Sequence, residues 1–412
     1  MTGVVPALGS LLIQASGSAA TAVAAVLVAS QLGLAAQGEF GLLRSWSDVL
    51  VMLAVFGLPQ GLLHLQYREG VPVAALRRWI GRYLRMLAAL AAALIAGGLA
   101  TPLFADLPHR AQALVLVAAA PLAAAHLLWR SLTLRVVGVV PYAVVTAAPA
   151  LLILAGLLPY AAAGLRSGFE WVLLGAAAFS ALASGLLARR ATHAEARVTT
   201  SPRWSRRQLW SVSLQTGAQS VLTAAGPASL MSLASLLGAT LAQVGVISLC
   251  LQLYQMFAVA AVYAAPLVYD RAARSERRPD GRQLFALLRQ RIGLAPLALG
   301  AAAALFGPVL LAQLWPAIAD LAPPLTLMAV AGVLALGVRL LSTLHQARGE
   351  FTLLSLQAAA RLLVGLLLTA LLMRSWPATL AVPVAMLTVE ALLLAWLLVR
   401  LRRALHGAEA LR

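Results

Sequence analysis

The stretch ATLAVPVAMLTVEALLLAWLLV, residues 378–399, determines what kind of protein this sequence encodes. Glu390 is its single charged residue. At a rise of about 1.5 Å per residue, a helix of this length extends roughly 33 Å, slightly more than the hydrocarbon core of a bilayer. The stretch therefore predicts a transmembrane helix and not a helix of a soluble core.

Apolar stretches of similar length recur along the whole chain. Hydrophobic residues make up 62% of the 412 positions and charged residues 11%, and the mean hydropathy of +0.89 is far above that of soluble domains. Twelve spans are predicted, near residues 7–30, 42–65, 84–104, 111–128, 139–160, 171–187, 209–236, 241–268, 289–314, 323–341, 351–373 and 378–399. The sequence thus predicts an all-α polytopic membrane protein of about 12 transmembrane helices.

The basic residues are divided unequally between the two sides of the membrane. All 31 are arginine, and the formal net charge is +18. With a cytoplasmic N-terminus, 26 of the 31, Arg339 among them, fall on the cytoplasmic side, as the positive-inside rule requires. We therefore expect both termini and the segments 189–207 and 270–291 in the cytoplasm, and we attribute the charge to membrane orientation and not to nucleic-acid binding.

The sequence argues against an enzyme. The predicted connections on the other side of the membrane are too short for a catalytic domain. No P-loop, GxSxG motif, zinc-binding His-Glu spacing or paired-carboxylate motif appears in a loop. We expect no catalytic residue, no metal and no bound cofactor, while coupling to H+ or Na+ is left open.

An internal repeat relates the two halves of the chain. Leu32-Gly33 and Leu237-Gly238 lie 205 positions apart, close to half of the 412 residues. Gln14 and Gln219 each precede their glycine by 19 positions. The repeat predicts an N-terminal lobe of six helices, residues 1–197, and a C-terminal lobe of six, residues 198–412, with a cavity between them.

Two segments carry a resemblance to a known family. Residues 29–70, ASQLGLAAQGEFGLLRSWSDVLVMLAVFGLPQGLLHLQYREG, and residues 235–274, SLLGATLAQVGVISLCLQLYQMFAVAAVYAAPLVYDRAAR, each pass from a Leu-Gly turn into an apolar helix. In this pattern and in topology the chain resembles the MOP (multidrug/oligosaccharidyl-lipid/polysaccharide) exporter superfamily, and most closely its Wzx-type polysaccharide transporters.

The resemblance implies a flippase of the bacterial inner membrane. It would move a polyprenyl-diphosphate-linked oligosaccharide from the cytoplasmic to the periplasmic leaflet by alternating access, as a step of polysaccharide biosynthesis. Its implied partners are this lipid-linked glycan, membrane lipids, and the polymerase and assembly proteins of the pathway. A diphosphate also needs cationic partners in a hydrated cavity. The planar guanidinium of arginine pairs well with phosphate oxygens.

Four charged residues inside predicted spans are candidates for the translocation path. Arg44 and Asp48 are spaced to pair on one helical face, either as an interfacial pair or as a charged gate. Arg361 and Glu390 lie 15 and 14 positions on either side of Trp376, so both are about 21–22 Å from a shared turn. They are expected to form a salt bridge or to face a hydrated cavity separately, and Glu390 could serve as a proton or cation site.

Polar and aromatic residues complete the candidates. Gln14, Gln219 and Gln255, with Gln252 and Tyr254, either bond neighbouring helices or line a hydrated path. His64 and His126 are interpreted as interfacial and not as proton carriers. Segments 77–85 and 203–210 interleave arginine with Trp and Tyr, which favours contact with anionic lipid or guidance of an anionic substrate.

Two other functions compete with the flippase. A MATE-type ion-coupled exporter of small cations should have acidic cavity residues, yet the spans hold few carboxylates beyond Asp48, Glu390 and Glu170. A transport-inactive membrane scaffold would not need charges within the membrane, which are costly there. The scarcity of carboxylates favours an anionic substrate.

Overall fold

The regular structure of the protein is entirely helical wherever it is described. The computed structural model describes residues 4–67, 69–101, 109–195, 206–274, 306–307, 313, 321–347 and 351–409. The main helices in chain order are α1 (Val4–Leu27), α2 (Leu34–Val55), α3 (Leu58–Tyr67), α4 (Val73–Ala100), α5 (Arg110–Ser131), α6 (Leu134–Val137), α7 (Val139–Ala163), α8 (Phe169–Glu195), α9 (Arg206–Leu236), α10 (Leu241–Arg274), α11 (Ala322–Ala347), α12 (Phe351–Leu372) and α13 (Ala378–Glu409). A π-helical turn, Val28–Leu32, extends α1.

Helices account for eleven of the twelve predicted spans, and the span near 289–314 lies outside the described helices. Eight helices in the described part of the chain are long and apolar enough to cross a bilayer, and the bent pair α2–α3 would make nine. In α10, a shorter apolar stretch covers Leu241–Phe257. We attribute the absence of α9 from this set to its serine, threonine and glutamine residues, which lower its hydropathy.

The glycines of the two Leu-Gly turns share one φ angle. Gly33 and Gly238 both have φ of +95°, which a residue without Cβ adopts at little cost. After α9, Gly238 lies in a Schellman turn, in which the Ala239 amide donates to the Ala234 carbonyl (2.9 Å). These matching turns support the internal repeat.

Helices α2 and α3 are long and apolar enough to cross a bilayer only when taken together, and a bend of 46° separates them. Phe56 and Gly57 both have positive φ, 32° and 73°, so they turn the chain without continuing the helix. The Ala54 carbonyl next to the bend instead accepts a hydrogen bond from the Tyr83 hydroxyl (2.7 Å). Pro59 then lies in the first turn of α3, where its missing N–H leaves no helical hydrogen bond unmade.

The first turns of α2 and α10 approach each other as closely as their backbones allow. A Cβ on Gly38 would overlap the Leu241 carbonyl oxygen, and a Cβ on Gly245 would overlap the Leu34 carbonyl oxygen. Beside this crossing, the Gln37 side-chain amide donates to the Ser248 hydroxyl (3.0 Å), and both side chains are buried. The close approach therefore depends on two glycines that occupy equivalent places in the two helices.

The chain divides into two compact units, one formed by Met1–Leu32 with Glu39–Ala228 and one by Gly33–Gly38 with Ser229–Arg412. In the first, buried leucines of α3, α5 and α9 pack against Trp79 and Ile80 of α4. In the second, Val338 of α11 packs against the buried apolar side of α13. The predicted lobe boundary at residue 197 lies outside the described residues.

Cysteine labelling tests the predicted orientation. Cys250 is the only cysteine and is buried, so a Cys250→Ala background should give no label. In that background Thr200→Cys and Ser275→Cys should react with an impermeant maleimide only after permeabilisation, because the arginine distribution places them in the cytoplasm.

Ser375→Cys is the matched control for this labelling. Ser375 is exposed in the turn between α12 and α13, on the side predicted to be periplasmic, so it should react in intact spheroplasts. Labelling of Thr200→Cys or Ser275→Cys from outside intact spheroplasts would refute the orientation.

Candidate functional site

A buried ion pair joins the last two helices of the second unit. The Arg361 Nε on α12 donates to Glu390 Oε1 at 2.5 Å, and its Nη2 donates to Oε2 at 3.0 Å. The two parallel contacts form a bidentate fork, the strongest arrangement of this pair. The pairing predicted from the equal distances of both residues to the α12–α13 turn is confirmed.

A third helix contributes to the same carboxylate. The Tyr254 hydroxyl on α10 donates to Glu390 Oε1 at 2.7 Å. Glu390 is fully buried, whereas the Arg361 side chain remains 17% exposed. Since an ionised carboxylate away from water is costly without partners, these three hydrogen bonds stabilise its charge within the helix bundle.

Arg339 is a fourth member of this cluster. The sequence assigns it to the cytoplasmic connections, but it lies inside α11 and interacts electrostatically with Tyr254, Arg361 and Glu390. Its position within the predicted span 323–341 was the signal that could have identified it. We name Tyr254, Arg339, Arg361 and Glu390 the charged cluster.

A neutral polar layer follows along α11 and α12. The Ser342 hydroxyl donates to Gln357 Oε1 at 2.8 Å, and both side chains are buried. The Gln357 Nε2 is buried and has no hydrogen-bond partner among the described residues. Ser342 follows Arg339 by three residues, and Gln357 precedes Arg361 by four, so helical spacing places this layer about one turn from the charged cluster.

The structure corrects the pairing suggested for Arg44 and Asp48. Arg44 Nη2 on α2 donates to the Thr21 hydroxyl on α1 at 3.3 Å. The Arg44 charge acts on Asp48, but no direct ion pair joins the two side chains. Its Nη1 is buried and has no hydrogen-bond partner among the described residues. Asp48 is exposed. The i, i+4 spacing places both residues on one face, but the Thr21 hydroxyl holds the guanidinium.

The glutamine candidates differ in their exposure. Gln14 on α1 and Gln219 on α9 are half-buried, and Gln255 on α10 is exposed. Within the described residues no side-chain hydrogen bond is recorded for these three amides. Their place on a hydrated path stays a prediction.

His126 is not an interfacial residue, contrary to the interpretation of the sequence. It is buried between α5 and α8, where its Nδ1 lies 2.8 Å from the Ser184 hydroxyl and 3.2 Å from the Ser180 carbonyl. The Ser184 hydroxyl donates in turn to the Ser180 carbonyl. The imidazole therefore bonds two helices of the first unit.

The fold matches solved structures over almost the whole chain. An inward-facing multidrug resistance MATE family transporter of the MOP superfamily aligns with a TM-score of 0.67 and 14% identity, over 97% of this chain and 98% of that chain. A MATE protein in complex with MaL6 gives 0.64 and 14%, with 97% of each chain covered. Lipid II flippase MurJ, inward closed, gives 0.66 and 11%, over 95% of this chain and 87% of that one. No protein-family model matches the chain, and no curated protein sequence is similar to it.

These similarities confirm the predicted fold class. The chain has the all-α polytopic membrane fold of about 12 helices that MATE transporters and MurJ share. With identities of 11–16% among the structures compared, they establish the fold, and the function must be argued from the residues themselves.

Proposed function

We propose that the protein is a flippase that moves a polyprenyl-diphosphate-linked oligosaccharide from the cytoplasmic to the periplasmic leaflet of the bacterial inner membrane by alternating access. The fold supports this proposal, because one protein of the same fold is a lipid II flippase. The scarcity of catalytic motifs in the sequence agrees with a transporter. The Wzx-type resemblance of the two Leu-Gly segments supplies the polysaccharide pathway.

The state of Glu390 is the observation that carries the proposal. It is the one carboxylate within the described apolar spans of the second unit, and Arg361 and Tyr254 occupy both of its oxygens. An organic cation could bind there only by displacing a bidentate guanidinium from a carboxylate that is fully buried. Breaking a buried pair of this kind costs several kcal/mol, about 3–5 in soluble proteins. The second unit is therefore poorly suited to a cationic substrate.

Guanidinium groups within the membrane suit an anionic substrate. Arg44 lies inside α2, and its Nη1 is buried with no hydrogen-bond partner among the described residues. A phosphate oxygen would satisfy such a donor. The polyprenyl tail would remain in the bilayer while the sugars cross a path lined by Asp48, Gln14, Gln219 and Gln255.

Export of small molecules by a MATE-type mechanism is the second candidate. Its support comes from the fold and from Glu170 on α8, whose buried Oε2 has no hydrogen-bond partner among the described residues. Glu170→Gln separates the two functions, because it should abolish export of an organic cation and leave flipping of a lipid-linked glycan intact.

Deletion of the gene tests the flippase directly. Lipid-linked repeat units should accumulate in the cytoplasmic leaflet, where an impermeant periplasmic glycosidase cannot reach them, and one surface or secreted polysaccharide should be lost. Reintroduction of the wild-type gene is the control. Unchanged polysaccharide in a strain without another flippase would refute the proposal and would leave the cation exporter or a transport-inactive scaffold.

A further inference from the structure

Among the candidate spans that the structure describes, helix α4 has the least protein around it. Only 11% of its most apolar window is buried, against 22–61% for the other candidate spans in the described part of the chain. Most of its surface must therefore contact lipid. Its chemistry indicates which kind of lipid.

Three arginines follow one face of α4 near its start. Arg78, Arg82 and Arg85 are exposed and are spaced four and three residues apart, as neighbours on a helical face are. They extend over roughly 10 Å along the axis. The helix contains no aspartate or glutamate, and no ion pair of these three arginines is recorded in the described residues.

An apolar ridge continues the arginine face along the same helix. Met86, Leu90 and Leu94 follow Arg82 at successive intervals of four residues, and their side chains are 57%, 55% and 54% exposed. The α4 face, defined as Arg78, Arg82, Arg85, Met86, Leu90 and Leu94, thus presents three cations and then about 12 Å of apolar surface. A phospholipid has the same order of anionic headgroup and acyl chain.

The opposite side of α4 fixes the direction of this face. Leu76 and Ile80 are fully buried, and Trp79 packs edge-on against Trp210 with ring centres 6.5 Å apart. Tyr83 stacks on Trp79 at 5.4 Å, and its hydroxyl is bonded to the Ala54 carbonyl at the α2–α3 bend. The helix therefore cannot rotate its arginines into the protein.

We propose that the α4 face binds an anionic phospholipid of the cytoplasmic leaflet, with the phosphate on Arg78, Arg82 and Arg85 and an acyl chain along Met86, Leu90 and Leu94. The guanidinium forks match phosphate oxygens, and the arginine distribution places this end of α4 on the cytoplasmic side. The apolar ridge has no polar side chain for a glycan, so a phospholipid fits better than the lipid-linked oligosaccharide.

Lipid binding to the purified full-length protein tests this site. Native mass spectrometry and thermal shift would compare phosphatidylglycerol with phosphatidylcholine, in the absence of any glycolipid. The triple substitution Arg78→Gln, Arg82→Gln and Arg85→Gln should weaken phosphatidylglycerol binding on the order of 100-fold and Arg82→Gln alone about fivefold, with phosphatidylcholine unaffected.

A second triple substitution controls for net charge. Arg189, Arg190 and Arg207 are also exposed arginines of the first unit, and their replacement by glutamine removes the same charge. This control should retain phosphatidylglycerol binding. Equal phosphatidylglycerol binding by both triple variants, or an equal loss of binding from both, would overturn the proposal. If the α4 triple variant does not fold, the binding of phosphatidylglycerol to Arg82→Gln decides the question. Since no glycolipid is present, either outcome leaves the flippase proposal untouched.

Discussion

Replacing Glu390 with alanine should lower the free energy of unfolding by about 3 kcal/mol, because it leaves the Arg361 guanidinium buried without its carboxylate. Arg361→Ala should cost at least as much, since Glu390 is fully buried and would lose its bidentate partner. Tyr254→Phe removes one neutral donor and should cost about 1 kcal/mol. Thermal unfolding in detergent would rank the three variants. It is measured as the loss of the monodisperse size-exclusion peak after heating.

Exchange of the two charges separates a structural pair from a transport-linked one. Arg361→Glu combined with Glu390→Arg should recover much of the stability that either single reversal loses, because the fork can re-form in the opposite sense. If the pair only joins α12 to α13, the exchange also restores flipping. If either charge serves transport, it restores folding alone. A double variant no more stable than the single ones would contradict the pairing in the membrane.

Alanine at Gly245 should be the second large perturbation. Its Cβ would overlap the Leu34 carbonyl oxygen and crowd the Gly38 amide, so α2 and α10 must separate. Overpacking of this kind costs about 1–3 kcal/mol, and Gly245→Val should cost more. Gly38→Ala should behave like Gly245→Ala, because its Cβ meets the Leu241 carbonyl.

Gly226 on α9 is the matched control for this substitution. A Cβ there meets nothing within 4 Å, so Gly226→Ala should be neutral or stabilising through helix propensity. The same melting measurement applies to all of these variants. Equal stability of Gly245→Ala and Gly226→Ala would mean that the close approach of α2 and α10 does not contribute to folding.

Distance along the chain made the Arg361–Glu390 pair predictable. The distance of each residue from one short turn could be calculated along its helix, and two helices joined by such a turn must lie side by side. Arg339 had no such reference, because the contact of α11 with the charged cluster depends on tertiary packing. The same limit explains Arg44, whose partner Thr21 lies on another helix.

The local sequence pattern was sufficient to predict most of the helices and the internal repeat. Apolar length located most spans, and the Leu-Gly spacing identified two turns that share a φ of +95°. It predicts a kink at Pro59, whereas the bend lies slightly earlier, at Phe56 and Gly57. It could not reveal the packing of Gly38 on Gly245, since a glycine in the sequence does not indicate which backbone lies against it.

The two Leu-Gly turns differ in length, and this changes how the halves of the chain should be aligned. The turns themselves correspond at an offset of 205, but Leu34 and Gly38 oppose Leu241 and Gly245 at an offset of 207. The second turn has two extra residues, Ala239 and Thr240, before its helix begins. Thr240 is the N-cap of α10, and its hydroxyl accepts a hydrogen bond from the backbone N–H of Gln243 at 3.3 Å.

Two residues correspond to about 200° of helical rotation, so a constant offset would compare opposite faces of α2 and α10. At 207, Asp48 corresponds to Gln255, and both side chains are exposed. To find the residue of the second half that corresponds to a substituted residue of the first half, the offset must therefore change from 205 at the turn to 207 in the helices that follow.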